Sequence, residues 1–72
     1  MIRDLTEEEL IIYLWKTDRL GGFQTALLDA ISHADHKNLM LLALGFPLEV
    51  NAFIRFSTEN GWWQNIEWKV KG

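Results

Sequence analysis

The chain lacks several features that would narrow its class: it has no cysteine, one proline and no long hydrophobic run among its 72 residues. Without cysteine, disulfide bonds and thiolate metal sites are excluded. The longest apolar run, Leu39 to Leu48, is interrupted by Gly45 and Pro47, whereas a membrane-spanning helix needs about 20 apolar residues. The first residues also lack the charged-then-apolar pattern of a signal peptide. These absences predict a cytoplasmic protein.

Positive charge is also scarce. The chain has seven Lys and Arg against ten Asp and Glu, and its formal net charge is −3. Nonspecific binding to a phosphate backbone requires a basic patch, which the sequence does not contain. Nucleic-acid binding is therefore disfavoured, because it would need four scattered side chains to converge in space: Arg3, Arg19, Lys69 and Lys71.

Apolar residues, in contrast, are abundant. Hydrophobic residues make up 49% of the chain, which includes four Trp, four Phe and one Tyr. A single domain over 1–72 buries only about 60% of the surface that its unfolded chain exposes. We therefore expect part of the apolar surface to face a partner.

The hydrophobic pattern predicts an all-α fold, a small compact bundle of four helices with a short C-terminal helix. Helix 1 starts at a capping box formed by Thr6 and Glu9 and ends near 18–20. Its run from Leu10 to Trp15 is apolar on nearly all sides, so we expect this helix to be central or held between copies, with excess apolar surface. Gly21 and Gly22 are expected to supply the unusual backbone angles of the following turn.

Helix 2 is predicted over 23–34. Its apolar residues recur at helical spacing and form a stripe of small side chains that should let another helix approach closely. The stripe consists of Phe23, Ala26, Leu27, Ala30, Ile31 and Ala34. Helix 3 covers about 35–44, begins at Asp35 as N-cap, and is expected to pair with helix 2.

Helix 4 covers about 48–58, with Pro47 near its first turn and Asn60-Gly61 after its end. The segment 62–70 fits either helical or strand spacing. A lone strand would have no partner in this chain, so a short helix is favoured.

Candidate catalytic and metal-binding residues are weakly supported. His33 and His36, with Asp29 one turn earlier, could approach a metal on one continuous helix, but a helix break is predicted between the two histidines. Two solvated histidines are the simpler interpretation. Asp29, Asp35 and Glu49 have no spacing that requires paired carboxylates. We therefore predict no catalytic residue, no metal site, no cofactor and no enzymatic activity.

One segment has the features of a ligand site. Gly21 and Gly22 place free amide groups at the start of helix 2, where an anion such as a nucleotide could bind. Phe23 and Thr25 would stand beside it. The alternative interpretation is a simple turn between two helices.

Three tryptophans are candidates for binding a protein partner: Trp15, Trp62 and Trp63. The adjacent pair would point about 100° apart on a helix, so both are buried only if the tail is enclosed on two sides. Tryptophan is a frequent anchor residue in interfaces. The alternative is that the pair attaches the tail to the core.

Taken together, four motifs resemble those of short uncharacterised proteins from bacteriophages and integrated bacterial elements. They are Gly-Gly-Phe-x-Thr-x-Leu, Ala-Ile-x-x-Ala-Asp-x-x-Asn, Gly-Phe-Pro-x-x-Val-x-Ala-Phe and Asn-Gly-Trp-Trp, and they lie within 21–64. The resemblance implies a phage-type protein acting in the host cytoplasm and assigns no catalytic residue. With the apolar load, it predicts a non-enzymatic interaction protein that self-associates and binds a host or phage protein. The alternative is a module that sequesters a small anionic ligand.

Overall fold

The secondary structure is helical along almost the whole chain. A computed structural model describes residues 1–72, and it contains a single 3-10 turn at Ile2–Asp4 followed by five α-helices and no strand. The helices are α1 (Glu7–Lys16), α2 (Gly22–His33), α3 (His36–Gly45), α4 (Pro47–Thr58) and α5 (Trp62–Lys71). The predicted all-α class is confirmed, and the ambiguous C-terminal segment is a helix. No helix combines the length and the apolar character needed to cross a bilayer.

Side-chain caps define the starts of α1 and α3. Thr6 Oγ1 accepts a hydrogen bond from the Glu9 amide at 3.2 Å, while Glu9 Oε1 accepts one from the Thr6 amide at 2.9 Å. The predicted capping box is therefore confirmed. Asp35 Oδ1 accepts from the Asn38 amide at 2.8 Å. Each cap satisfies an amide that has no partner within the helix, so these local signals set the helix boundaries.

The turn after α1 differs from the prediction. Asp18 has a φ of 57°, whereas Gly21 has an extended backbone with φ −61°. Aspartate tolerates the left-handed region better than most residues, because its short polar side chain can bond locally. The reversal thus occurs three residues before the glycine pair. At the start of α5, Gly61 does have the positive φ, 80°, that favours glycine.

Helix α4 is the common partner of the other helices. It packs against α1, α2, α3 and α5, whereas α2 and α3 have little direct contact with each other. The expected α2–α3 pair therefore does not organise the fold. The buried side chains form two clusters. Cluster A contains Ile12, Leu28, Ala52, Trp62 and Ile66; cluster B contains Leu27, Ile31 and Val50.

The predicted stripe on α2 is partly wrong. Leu27, Leu28 and Ile31 are buried, but Ala26 and Ala30 are exposed, as is Phe23. The helix is rotated so that its large aliphatic side chains face the core. Burying leucine and isoleucine removes more apolar area from water than burying alanine, which favours this orientation.

The apolar run of α1 is covered within one chain. Ile12 is fully buried, and the other five residues from Leu10 to Trp15 are partly buried. Leu5 and Leu20, on either side of the helix, also pack against cluster A. The expectation of excess uncovered apolar surface on this helix is therefore wrong, and the most exposed large apolar side chains lie on α2, α3 and α5.

Candidate interaction surface

Helix α3 has apolar side chains on two faces. Leu39, Leu42 and Ala43 are partly buried and pack against cluster B. Met40 and Leu41 are exposed on the outward side, and Leu44 is 84% exposed. At 100° per residue the outward residues lie within one sector of the helix, on the side away from the core. Six consecutive apolar residues cannot all face a single neighbouring helix, so about half of them remain uncovered.

The outward side chains form a shallow groove of about 360 Å³. We name it the α3 groove; it is lined by His36, Lys37, Met40, Leu41 and Leu44. The two polar residues lie at the N-terminal end of the helix and the leucines toward its C-terminal end. Helix α3 contains no acidic residue. The groove is thus an apolar stripe with positive charge at one end.

The predicted residues Trp15 and Trp63 belong to an aromatic cluster on α4. The Trp15 ring meets Phe53 and Phe56 edge-on, each at a centroid distance of 6.1 Å, and Trp63 meets Phe56 at 6.0 Å. Trp15 Nε1 also donates a hydrogen bond to Asp29 Oδ1 at 2.9 Å. These contacts join α1 and α5 to α4, and α1 to α2.

Trp62 lies in cluster A and is 7% exposed. It therefore presents little surface to another molecule, while Trp15 and Trp63 are half-buried at the edge of the core. The structure thus separates the adjacent pair, with one ring inside and one at the boundary. A role for the three tryptophans in binding a partner stays a prediction.

The predicted ligand residues at the start of α2 are not gathered around a cavity. Gly21 is the N-cap and Gly22 the first helical residue, with no side-chain cap. Thr25 Oγ1 donates to the Leu20 carbonyl at 3.1 Å, so the hydroxyl already has a partner. Phe23 is 71% exposed and its ring lies 6.1 Å from that of Phe46. Binding of an anionic ligand here stays a prediction.

The histidines do not form a ligand cluster with acidic residues. His33 ends α2, while His36 begins α3 after the Asp35 cap, and both are exposed. No group of three or more His, Asp or Glu side chains comes close enough to hold a metal ion.

An ion pair connects the start of α1 to the last turn of α5. The Lys69 ammonium group lies 3.0 Å from both carboxylate oxygens of Glu9, which is only 5% exposed. Burial alone raises the pKa of the Glu9 carboxyl, but hydrogen bonds from the Thr6 amide and from Lys69 outweigh it and hold the pKa below its ordinary value of 4.5. Glu9 is therefore ionised at neutral pH.

A second, more exposed ion pair joins α1 to α4. Arg55 donates to Glu59 and to Glu8, each at 2.8 Å, and these two carboxylates raise the pKa of the guanidinium group. The first helix is thus attached to two other helices by charged contacts. Helix α3 has no salt bridge.

A second depression lies where the two ends of the chain meet. It measures about 440 Å³ and is lined by Asp4, Trp68, Lys69, Lys71 and Gly72. Trp68 is 76% exposed there. The charges of Lys69 and Asp4 are already neutralised within the chain, by Glu9 and by the amino terminus.

The most exposed large apolar side chains, apart from Phe23, are residues that the sequence does not single out as a site: Met40, Leu41, Leu44 and Trp68. The sequence does contain a signal for the first three, because the run from Leu39 to Leu44 is as apolar as that of α1.

Comparison with known proteins adds no relative: no family model, no curated protein and no solved structure matches this chain.

Proposed function

We propose that this chain is a small, non-enzymatic interaction protein of the cytoplasm that self-associates and binds a phage or host protein. The observation that supports the proposal is the α3 groove, where Met40, Leu41 and Leu44 stand exposed on a regular helix. Large exposed apolar side chains side by side on one surface are typical of protein-binding sites. Under this proposal the first four helices act as a small bundle, closed by α5, that presents this groove.

Self-association is tested by measuring molecular mass as a function of concentration. Sedimentation equilibrium from about 1 µM to about 1 mM covers the affinities expected for small, transient interfaces. We expect the average mass to rise from that of a monomer toward that of a dimer. A monomer at every concentration would refute self-association.

Binding of another protein through the α3 groove is tested by comparing a variant of the groove with a variant of a different surface. Immobilised wild-type chain and its Leu41→Lys and Trp68→Lys variants are exposed to lysate of phage-infected bacteria, and retained proteins are identified by mass spectrometry. We expect a protein that the wild type and Trp68→Lys retain and Leu41→Lys loses. Retention that is equal for all three would mean that the α3 groove does not carry the binding.

A further inference from the structure

Four of the five residues that line the α3 groove are compatible with a two-fold axis. Lys37, Met40, Leu41 and Leu44 have the spacing i, i+3, i+4 and i+7, which reads the same in both directions, while His36 lies just outside this stripe. A two-fold axis passing between Met40 and Leu41 would superpose the stripe on its own reverse. We infer that the groove binds the same groove of a second copy, with the two α3 helices antiparallel. This inference rests on the proposed self-association and adds its surface and orientation.

The register follows from the geometry of the helix. In an antiparallel pair centred between Met40 and Leu41, each Met40 lies opposite Leu41 of the second copy, and each Leu44 lies opposite Lys37. Such an interface is isologous, since the same patch is used on both sides. The apolar stem of Lys37 can cover Leu44 while its ammonium group remains in water.

Charge favours the antiparallel orientation. In a parallel pair, Lys37 would lie next to Lys37 of the second copy, and the one carboxylate at that end, Asp35, already caps its own helix through the Asn38 amide. In the antiparallel pair, each Lys37 lies at the C-terminal end of the other helix, where the dipole is negative. One carbonyl there, that of Ala43, lacks its usual donor because residue 47 is proline.

The space next to Gly45, at the end of the stripe, is compatible with the same antiparallel register. His36 would lie opposite Gly45 of the second copy. A methyl group built at Gly45 would meet no atom within 4 Å, so the surface there is open. An imidazole ring can therefore be accommodated without moving the helix.

The size of the groove predicts a weak dimer. The stripe from Lys37 to Leu44 extends over about 10 Å of helix axis. A stable interface buries about 800 Å² on each partner, which is more than one short helix face supplies. We therefore expect a reversible dimer that is populated only at high concentration, with a dissociation constant in the range of about 10 µM to about 1 mM.

Charge substitutions test both the surface and the register. Leu44→Lys places an ammonium group opposite Lys37 of the second copy, and we expect it to weaken association at least about tenfold. Adding Lys37→Glu to this variant should restore attraction, so the double variant should associate more tightly than Leu44→Lys alone. Equal or weaker association of the double variant overturns the register. Trp68→Lys, outside the groove, is the matched control and should associate as the wild type does.

Cross-linking tests the orientation independently. The chain has no cysteine, so single-cysteine variants have no background. Leu41→Cys lies near the two-fold axis and should form a disulfide-linked dimer with itself. Lys37→Cys and Leu44→Cys should each fail alone but cross-link when mixed. If all three cross-link with themselves, the helices are parallel and the inference is overturned.

The outcomes separate this inference from the proposed function. A wild-type chain that is monomeric throughout refutes the α3 pairing and the self-association, and leaves the binding of another protein as the remaining part of the proposed function. A wild-type dimer unaffected by Leu44→Lys, or one lost in Trp68→Lys, refutes the α3 pairing alone. Far-ultraviolet circular dichroism of every variant shows whether the fold is kept, which we expect because all substituted side chains are exposed.

Discussion

Two runs of six consecutive apolar residues, Leu10–Trp15 in α1 and Leu39–Leu44 in α3, differ in how far their side chains are buried. The first contains a fully buried residue, Ile12, and no exposed one, while the second contains no buried residue and three exposed ones. Both helices are ten residues long, and both pack against α4. The difference shows that the apolar character of a helix does not determine its exposure; the number of neighbouring elements does.

The surroundings of α1 explain its coverage. The helix contacts α4 directly, while Trp62 and Ile66 of α5 complete cluster A around Ile12. Leu5 before the helix and Leu20 after it pack against the same cluster. Helix α3 packs against cluster B, formed by α2 and α4, on one side and has no element on the other. A helix that is apolar on both of its faces is normally buried on both, so the exposed leucines of α3 indicate that another molecule covers them.

The largest expected difference between the two runs is in the cost of truncating a side chain. Ile12→Ala leaves a cavity in cluster A and should lower the free energy of unfolding by about 2–5 kcal/mol. Leu41→Ala removes an exposed side chain and should change it by less than about 1 kcal/mol in the monomer. Urea unfolding at low protein concentration measures both. Equal losses would mean that α3 is as well packed as α1.

The charged contact of α1 should have the next largest effect. Lys69→Met leaves the buried Glu9 carboxylate without its cation, and we expect a loss of about 1–3 kcal/mol in the free energy of unfolding. Lys37→Met on α3 is the matched control, because Lys37 has no salt bridge, and its effect should be close to zero. A similar loss in both variants would contradict a stabilising role for the pair.

Acid should weaken the ion pair between Glu9 of α1 and Lys69 of α5. The folded-state pKa of Glu9 is below its ordinary value of 4.5, so the ionised carboxylate stabilises the fold above that pH. This contribution is lost as the pH falls through the lowered pKa, since the unfolded chain then takes up the proton first. The stability difference between wild type and Glu9→Gln should therefore shrink below about pH 4.5 in urea unfolding. A difference that is constant across this range would exclude the lowered pKa.

The smallest effect is expected at Ala30, which belongs to the predicted small-residue stripe of α2 and would be overpacked by a larger side chain if that stripe faced another helix. Because Ala30 is exposed, Ala30→Leu should change the free energy of unfolding by less than about 0.5 kcal/mol. Ala52→Leu, at a fully buried position in cluster A, should cost about 1–3 kcal/mol. Thermal unfolding of the two variants side by side tests whether the exposure of the alanine, rather than the residue type, determines the loss of stability on α2 and α4.

Local signals in the sequence were sufficient to place the helices. The capping residues Thr6 and Asp35 and the turn glycine Gly61 act on neighbouring backbone groups, so their effect can be read without the fold. The orientation of each helix could not be predicted in the same way. Leu28 lies outside the predicted stripe on α2, because only the position of α4 and α5 makes its side of the helix the buried one.

The candidate site was harder to predict than the fold. Tryptophans are frequent interface anchors, which is why Trp15 and Trp62 are candidates for binding a partner protein. Both side chains pack against other residues of the same chain. The exposed leucines of α3 are ordinary core residues by type. They are exposed because no other element packs on their side of α3. The sequence of α3 by itself does not indicate whether a neighbouring element covers that side.

Phe53 packs against both cluster A and cluster B and is the only side chain shared by the two. Helices α2 and α4 also contribute buried residues to both clusters, so neither cluster belongs to a separate pair of helices. Opening either cluster would expose the Phe53 ring to water. We expect amide hydrogens around both clusters to exchange with deuterium through one common opening, so that the molecule melts as a unit despite its two clusters.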